Sequence, residues 1–552
     1  MFENPDYLII GSGSAGSTIA YRLCENQSHT VLVLEYGGSD LSPFIQMPAA
    51  LSYPMNMPKF DWGYKADPEP MLNGRTLVCP RGKVIGGSSS INGMIYVRGN
   101  PGDYREWARS GAKGWDYEDV LPYFQRMENS HGGSSEFRGR HGPLHVTRGK
   151  RDNPLHGAFV KSAKQAGYFE TEDYNGYRQE GFGPADMTVY RGSRFSTAKA
   201  YLKPALAKKN VQLITRALVN KIIFEGNKAV GVEFFHQGKN KIIKVKKDVI
   251  LSAGSINSPA ILQRSGIGNG DHLKSLGINV KSHLPGVGEN LQDHLEVYFQ
   301  VKCLKPITLY KYLNPFSKLL IGMQWMFFKS GPGSTNQFET LGFIRSDKNI
   351  SYPDIQFHFL PVAIRYDGKA PSEGHGFQLH VGPMRSKSRG FVRIKSSDPK
   401  SHPQIKFNYM THEDDFPTFR KALKLSREIL SQSAMSQYYG GEIQPGNETT
   451  TDEGLDEFIK NNCESAYHPC GTCKMGEKED PTTVVENNCK VKGFNNFYVA
   501  DSSIFPRICN GNLNSPSIMT GEKASDHILG KSPLSASNLK PFPHPDWQNT
   551  QR

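Results

Sequence analysis

The sequence lacks an apolar run long enough to cross a membrane. Its apolar segment at residues 319–328 lies between Lys318 and Lys329 and has about ten residues, whereas a membrane-spanning helix needs about 20. We therefore expect no transmembrane helix. Two alternatives remain open for this segment: a helix that lies on a membrane surface with its lysines at the head groups, or a helix packed inside the protein.

Cysteine is also scarce. The chain has 8 cysteines in 552 residues, without the spacing pattern of a small secreted disulfide scaffold. No signal-like segment precedes the first predicted strand, so we expect a cytoplasmic protein. Cys470 and Cys473 have the C-x-x-C spacing, but no second Cys or His pair accompanies them at zinc spacing. The sequence therefore predicts no metal site.

Positive charge is in excess but is not concentrated in one place. The 66 Lys and Arg against 53 Asp and Glu give a formal net charge of +13. These basic residues are scattered rather than gathered into an arginine-rich arm, so we expect no nucleic-acid partner. A diffuse positive surface is compatible with peripheral contact with the anionic inner face of the cell membrane.

An apolar run followed by three glycines predicts a dinucleotide site near the start of the chain. Residues 7–10 have the composition of a parallel strand that is covered on both faces, and Gly11, Gly13 and Gly16 follow them. Gly11 permits a tight turn, and Gly13 lets a pyrophosphate approach the helix N-terminus beside Ser14 and Ala15. Gly16 allows the helix to pack closely on the strand.

A second predicted strand, at residues 30–34, ends in Glu35. This carboxylate follows the last glycine by about 20 residues, the distance expected for the acid that hydrogen-bonds an adenosine ribose hydroxyl. An acid at this position disfavours the 2′-phosphate of NADP. The alternative is an α/β unit without a ligand, because glycines also recur in ordinary turns.

A second glycine-rich segment lies at residues 81–99, where eight of the nineteen residues are Gly or Ser. That fraction is far above the ordinary glycine content of about 7%, so we expect the backbone to lie against a flat or anionic group such as a flavin. An ordinary surface loop is the alternative.

Three segments of the chain resemble the glucose-methanol-choline (GMC) family of FAD-dependent oxidoreductases. Residues 82–99 are similar to the first family signature, residues 254–268 to the second, and residues 285–294 to a further family block. The resemblance implies FAD as the cofactor. It also implies non-covalent binding, since Ile91 stands where some relatives attach FAD through a histidine. The FAD contacts expected from the motifs and the resemblance together are Gly11, Gly13, Ser14, Ala15, Gly16, Glu35, Gly86, Gly87, Ser88, Asn92, Gly93, Met94, Val219, Ala253, Gly254, Asp501 and Asn514.

The length and the resemblance together predict an α/β architecture with two domains. A chain of 552 residues exceeds the ~250–300 residues at which single cores stop growing. The expected FAD-binding domain is Rossmann-like and consists of residues 1–150, 191–300 and 461–530. The inserted substrate domain, at residues 151–190 and 301–460, is expected to have a mixed or antiparallel sheet flanked by helices. We expect residues 531–552, which are rich in proline, to form a disordered tail.

His468 and Asn512 are the catalytic candidates. Oxidation of an alcohol needs a base for the hydroxyl proton and a positioned donor for the developing alkoxide, and histidine suits the first task near neutral pH. Taken alone, His468 would more often be a structural histidine. Both residues lie in segments that match family blocks, at residues 465–476 and 511–523, and the resemblance implies that both act on one substrate oxygen.

Within the family, residues 334–345, 357–363 and 468–476 are most similar to the choline-oxidising members. This similarity implies oxidation of choline to betaine aldehyde and leaves open a second oxidation to glycine betaine. Glu339 is the expected partner of the trimethylammonium group and Trp62 the expected aromatic wall, because a cation without ordinary hydrogen-bond donors is held by carboxylates and aromatic faces. A solvent-exposed strand carboxylate is the alternative for Glu339.

The resemblance further implies that a membrane quinone accepts the electrons. The sequence leaves two other functions open. The first is oxidation of other primary alcohols, aliphatic or aromatic, by a member of the same family. The second is cleavage of a cyanohydrin without any redox change, which the same fold supports. The sequence leaves the oligomeric state open.

Overall fold

A computed structural model describes residues 2–134, 136–365 and 374–552. Its α-helices are Ser14–Leu23, Pro43–Gln46, Pro101–Arg109, Tyr117–Met127, Pro154–Gln165, Lys203–Leu206, Gly254–Arg264, Gly270–Ser275, Pro315–Phe328, Asp415–Leu430, Asp452–Asn462 and Asn514–Ile528.

A five-stranded parallel sheet forms the core of the first domain. Its strands, in spatial order, are Val211–Ile214, Val31–Leu34, Tyr7–Ile10, Asp248–Leu251 and Phe497–Val499. Most of their side chains are buried, which explains why the strands are apolar throughout rather than alternating. The strands come from the beginning, middle and end of the chain, so this domain is assembled from three separated segments.

A seven-stranded sheet forms the core of the second domain, and all of its pairings are antiparallel. Its main path follows the strands Tyr439–Gln444, Leu295–Cys303, Gly376–Pro383, Ile355–Leu360, Thr340–Ile344 and Gly181–Pro184, and Glu464–Ser465 also pairs with Leu295–Cys303. The helices Asp415–Leu430 and Pro154–Gln165 pack together on this domain. The expected α/β fold with an inserted antiparallel substrate domain is confirmed.

Smaller sheets complete the described part of the chain. The strands Leu218–Glu225, Lys228–His236 and Lys239–Lys244 form an antiparallel meander, and Glu128–Ser130, Leu144–Arg148 and Asp186–Met187 form a second three-stranded sheet. Two-stranded pairs join Tyr64–Lys65 to Val78–Cys79, Val189–Tyr190 to Ser193–Arg194, Ile267–Gly268 to Ser282–His283, and Phe391–Arg393 to Gln404–Lys406.

The last 22 residues differ from the expected disordered tail. Residues 531–552 have no helix or strand, but they lie along the protein surface and bond to it. Arg345 donates to the Trp547 and Thr550 carbonyls, and Arg552 forms an ion pair with Glu428 at 2.7 Å. The expectation was wrong because a few aromatic and arginine contacts hold a segment whose overall composition is polar and proline-rich.

The helix Pro315–Phe328 is largely exposed on the protein surface. Its only buried side chain is Trp325, whose indole donates to the Gly192 carbonyl at 2.6 Å, while Phe327 and Phe328 are 70% and 75% exposed. A position inside the protein, one of the two alternatives for this segment, is therefore excluded. Across the described residues, every helix is too short or too polar to traverse a bilayer.

Candidate active site

One continuous cavity brings together nearly all of the residues predicted for the site. It is lined by Gly11, Gly13, Ser14, Ala15, Glu35, Trp62, Gly87, Ser88, Asn92, Gly93, Met94, Val219, Ala253, Gly254, His468, Asp501, Asn512 and Asn514. Three predicted residues, Gly16, Gly86 and Glu339, do not line it. Gly16 and Gly86 instead allow the backbone conformation around the cavity.

The glycine positions are required by close backbone contacts. Gly11 has φ +96°, and a Cβ atom there would lie 2.4 Å from the Ser252 carbonyl oxygen. A Cβ atom on Gly16 would lie 2.0 Å from the Gly11 oxygen, which confirms that helix and strand pack too closely for a side chain. Gly86 has φ +84°, a conformation that favours glycine. The Gly86 N–H donates to the Ser12 carbonyl at 2.9 Å, so the two glycine-rich segments are in contact.

Other glycines leave space that no atom of the described residues fills. Gly93 and Gly254 both line the cavity, and a Cβ atom on either would have no described protein atom within 4 Å. At Gly13 the nearest atom would be the Gly87 Cα, at 3.9 Å. The backbone is therefore open toward the cavity at three positions, and this cradle fits a dinucleotide that approaches the main chain closely.

The end of the cavity near Glu35 fits an adenosine. Glu35 accepts hydrogen bonds from the Ser12 N–H and hydroxyl at 3.0 and 2.8 Å and from the Gly37 N–H at 2.6 Å. Burial raises the pKa of this carboxyl, and these hydrogen bonds oppose that shift. Val219 lines the same cavity, so the predicted ribose and adenine contacts lie in one space.

His468 and Asn512 meet at the other end. The Asn512 side-chain amide donates to His468 Nε2 at 3.1 Å, and the Asn512 Oδ1 atom accepts from Gln356 Nε2 at 3.3 Å. On its far side, His468 Nδ1 lies 3.1 Å from His294 Nδ1. The two catalytic candidates thus present a ring nitrogen and an amide to one part of the cavity.

Three histidines at this end have lowered pKa values. Burial lowers the pKa of His294 to about 4 and that of His358 to about 4, and it lowers the pKa of His468 well below its usual range, helped by the charges of His294 and His358 when they are protonated. All three side chains are therefore neutral near pH 7. A neutral imidazole is the form that can accept a proton from an alcohol.

Asp293 bonds to the backbone at both His294 and His468. Its carboxylate accepts from the His294 N–H at 2.9 Å and the His468 N–H at 2.7 Å, and also from the Ser465 and Tyr409 hydroxyls. Burial raises its pKa, while these hydrogen bonds favour the ionised form. The position of His468 is thus set by a buried carboxylate, although neither the sequence motif nor the spacing indicated it.

A second buried acid, Glu296, lines the cavity. It is 4% exposed, and its Oε1 atom lies 2.8 Å from His380 Nδ1. His380 Nε2 lies 2.6 Å from the Gln378 amide nitrogen, and the Gln378 oxygen accepts from the Ile364 N–H at 2.9 Å. Because that N–H must donate, Gln378 donates to His380, and His380 donates to Glu296. The carboxylate is thereby held in place within the site.

Glu339 lies outside the cavity. This position corrects the sequence-based expectation that Glu339 is the partner of the trimethylammonium group. Its carboxylate accepts from the Thr335 hydroxyl at 2.7 Å and from the Arg151 N–H at 2.6 Å, and it does not line the cavity. Glu339 is also buried, so it is not the solvent-exposed strand carboxylate of the alternative. Its hydrogen bonds connect the segment at Arg151 to the residues before the strand Thr340–Ile344, which is a structural role.

The aromatic side chains divide between the two ends of the cavity. Trp62 lines it, but its ring neighbours are Tyr36, at 5.0 Å between ring centroids, and Tyr64. Tyr36 follows Glu35, so Trp62 lies toward the adenosine end. Phe338 lies 5.3 Å from His380 and 6.1 Å from His358, beside the buried acid. Phe338 thus contacts the histidine that bonds to Glu296, whereas the ring contacts of Trp62 are with Tyr36 and Tyr64.

Sequence reasoning missed Glu296, His294 and His358. The first two carried a signal: they bracket the start of the strand Leu295–Cys303, where a carboxylate precedes the apolar residues 297–299. The matching family block, at residues 285–294, ends two residues before the acid. His358 carried no signal, since a histidine in a buried strand is an ordinary core residue.

Comparison with known proteins identifies the family of the chain. The GMC oxidoreductase family matches residues 5–296 with its N-terminal part and residues 386–521 with its C-terminal part. A protein of Brucella suis biovar 1 (strain 1330), named oxygen-dependent choline dehydrogenase, is 59% identical over 547 residues, which covers 99% of this chain and 100% of that relative. A protein of the same name from Rhizobium rhizogenes (strain K84) is 57% identical with the same coverage.

Solved structures share the whole fold. Pyridoxine 4-oxidase from Mesorbium loti superposes with a TM-score of 0.87 at 29% identity, covering 96% of this chain and 100% of that one. The R554A formate oxidase of Aspergillus oryzae RIB40, described for its FAD modification, superposes with a TM-score of 0.90 at 25% identity, covering 96% and 98%. With the cavity, its glycine cradle and these matches in agreement, the chain belongs to the GMC oxidoreductase family and is an FAD-dependent oxidoreductase.

Proposed function

We propose that this protein oxidises choline to betaine aldehyde. The observation that carries the proposal is the meeting, in one cavity, of a neutral histidine beside an amide donor and a buried carboxylate beside an aromatic ring. The first pair suits an alcohol group and the second suits a quaternary ammonium. Choline carries both groups on one short chain. The relatives at 57–59% identity are named for the same substrate.

His468 is proposed as the base that takes the hydroxyl proton on Nε2. Asn512, whose amide nitrogen lies 3.1 Å from that atom, donates to the substrate oxygen and stabilises the charge that develops there. FAD, when bound, supplies the hydride acceptor for the carbon-bound hydrogen. The helix Asn514–Ile528 begins beside these groups, and its N-terminus adds a favourable field for negative charge in the cavity.

Glu296 is proposed as the partner of the trimethylammonium group, in place of Glu339. The group cannot donate ordinary hydrogen bonds, so its binding depends on charge and on aromatic faces that exclude water. Glu296 is buried, is oriented by His380 and has Phe338 close to the same histidine. Tyr467 also lines this part of the cavity, next to His468.

Anaerobic flavin reduction tests the proposal. Choline should bleach the flavin absorbance of the holoenzyme, and 3,3-dimethylbutanol, its uncharged isostere, should do so only at much higher concentration. If choline fails while aliphatic or aromatic primary alcohols succeed, the protein is a family alcohol oxidoreductase of another specificity. If a cyanohydrin is cleaved while the flavin stays oxidised, the function is that of a lyase. Betaine aldehyde, supplied alone, tests the second oxidation to glycine betaine.

We further propose that the enzyme contacts an anionic membrane through the helix Pro315–Phe328. Its exposed apolar side chains are Phe316, Leu319, Leu320, Met323, Met326, Phe327 and Phe328. Lys318 and Lys329 flank the core of this surface, and the whole chain is positively charged. Apolar side chains bordered by lysines fit the boundary between head groups and acyl chains of an anionic bilayer.

This helix is connected to the cavity wall. The turn Pro332–Ser334 packs against Pro48–Ala50, and the next residues include Leu51 and Met55, which line the cavity. Further exposed apolar side chains, Leu41 and Phe44, lie in the same part of the chain. A membrane-bound enzyme would thus present one wall of its cavity near the lipid, which supports a membrane quinone as the electron acceptor.

Two measurements test the membrane and acceptor proposals. Wild type should sediment with vesicles that contain anionic lipid, and the double variant Phe327→Asp, Phe328→Asp should stay in the supernatant. Ile242→Asp is the matched control and should sediment as wild type. Its side chain is 63% exposed and lies on the strand Lys239–Lys244 rather than on this helix. Equal sedimentation of all three would overturn the membrane proposal. Faster reoxidation of the reduced enzyme by oxygen than by a short-chain ubiquinone would overturn the quinone proposal.

A further inference from the structure

We infer that His294 is a positioning residue that holds His468 in the single tautomer able to act as a base. The inference rests on the proposed role of His468 in proton removal. The hydrogen bonds around the two histidines determine which ring nitrogen of each carries the proton. His294 does not line the cavity and is 1% exposed, so it acts on the substrate only through His468.

A hydrogen bond to a backbone carbonyl determines the tautomer of His294. His294 Nε2 lies 2.9 Å from the Met384 oxygen, which can only accept, so Nε2 carries a proton. A neutral imidazole has one N–H, so His294 Nδ1 is an acceptor. That atom lies 3.1 Å from His468 Nδ1, which must therefore be the donor. The remaining nitrogen of His468, Nε2, is left with its lone pair directed at the cavity side.

The contacts on the opposite side of His468 are consistent with the same assignment. The Asn512 oxygen accepts from Gln356 Nε2 at 3.3 Å and lies 3.5 Å from His358 Nε2. In this arrangement the amide nitrogen faces His468 Nε2, at 3.1 Å, and that nitrogen can only donate. His468 Nε2 must then be an acceptor. The chain of hydrogen bonds that starts at the Met384 carbonyl therefore sets the tautomer, and the contact with Asn512 agrees with it.

The charged groups around the pair are consistent with neutral rings. Asp293 accepts from both backbone N–H groups, and Glu296, His358 and Arg81 are the other titratable or charged groups that influence the two rings. Asp293 bonds to the main chain and to hydroxyl groups, not to either imidazole. The Met384 carbonyl and His294 therefore set the tautomer without adding a charge to the site.

Loss of the acceptor at position 294 frees His468 to carry its proton on either nitrogen. A proton on Nε2 would face the substrate hydroxyl, and the ring could then not accept from it. In Ser-His-Asp triads, removing the charged group that fixes the tautomer lowers kcat by about 10⁴. A neutral acceptor should have a smaller effect, and we expect a loss of about 10- to 100-fold in flavin reduction.

The test compares two variants of the holoenzyme. His294→Leu roughly keeps the volume but removes the acceptor, whereas His294→Asn places an amide oxygen near the former Nδ1 position. We expect the limiting rate of anaerobic flavin reduction above pH 7 to fall about 10- to 100-fold in the leucine variant and less than about threefold in the asparagine variant. FAD content and the binding of ethyltrimethylammonium, which has the cation but no hydroxyl group, should match wild type in both.

A matched control separates positioning from packing. His156 is equally buried, lies outside the cavity and bonds to Thr340, so His156→Leu removes a core histidine without touching His468. It should leave the limiting rate unchanged. The inference is overturned if His294→Leu reduces flavin at the wild-type rate, or if the leucine and asparagine variants lose the same factor. If choline fails as a substrate, the same comparison with any alcohol that reduces the flavin still tests the positioning role of His294.

Discussion

Replacing Glu296 by glutamine is the most direct perturbation of substrate recognition. The substitution keeps the size of the side chain and an oxygen that can accept from His380, 2.8 Å away in the wild type, and removes only the charge. The carboxylate is 4% exposed, so water cannot take over its role as it would at the surface. The variant therefore isolates the charge of the carboxylate from the packing around it.

The expected magnitude follows from Coulomb's law. A trimethylammonium about 4–5 Å from the carboxylate, at an effective dielectric constant of about 20, gains about 3–4 kcal/mol. The amide dipole recovers part of this, and the contact with Phe338, worth about 0.5–2 kcal/mol, is unaffected. A net loss of about 2 kcal/mol corresponds to roughly a 30-fold lower kcat/KM for choline. The uncharged isostere should lose less than about threefold.

Steady-state assays of both alcohols measure this difference, and Glu339→Gln is the matched control. Glu339 is also a buried acid, but it bonds to Thr335 and Arg151 outside the cavity. Its glutamine variant should affect choline and 3,3-dimethylbutanol equally, through stability alone. If Glu296→Gln also affected the two alcohols equally, or if only Glu339→Gln discriminated between them, the assignment of the cation site to Glu296 would be refuted.

Four further predictions concern the base, its pH dependence and the cofactor. His468→Ala should lower anaerobic flavin reduction by about 10²–10⁴-fold with FAD still bound, as the flavin spectrum would verify; near-normal reduction would remove the assignment. Because burial depresses the pKa of His468, the neutral base persists through neutral pH. The reduction rate should thus be flat above pH ~6.5 and decline only in more acidic solution, and a rise through pH 7–8 would contradict this. Gly93→Ala places a methyl group in the cofactor cradle, so it should fold with a normal thermal midpoint yet lose FAD on dialysis. Acid precipitation should leave the flavin in the supernatant, because Ile91 offers no nucleophile; yellow flavin in the pellet would indicate a covalent bond.

Local pattern was sufficient for the cofactor half of the site. Gly11, Gly13 and Glu35 are predictable because a turn, a close approach and a carboxylate occur at fixed spacing along one stretch of chain. His468 and Asn512 depended on the family blocks, since nothing in their spacing alone indicates that residues separated by 44 positions meet at 3.1 Å.

Recognition of the substrate was not predictable in the same way. Glu339 and Glu296 both lie at the start of strands in one antiparallel sheet, and the sheet order decides which one faces the cavity. That order joins strands far apart in sequence, so neither periodicity nor composition distinguishes the two acids. The disordered-tail prediction failed for a related reason, because the contacts of Arg552 and Trp547 are with distant segments.

The cavity has walls from many separated stretches of the chain, the first beginning at Ile10 and the last ending at Ser517. FAD can therefore bind well only to the assembled fold. A ligand with affinity for the folded state alone stabilises that state by RT ln(1 + [L]/Kd), about 2.7 kcal/mol when it is present at 100 times its Kd. The amount of this enzyme in a cell should accordingly follow the supply of flavin, with scarcity leaving more of the chain unfolded and open to proteolysis.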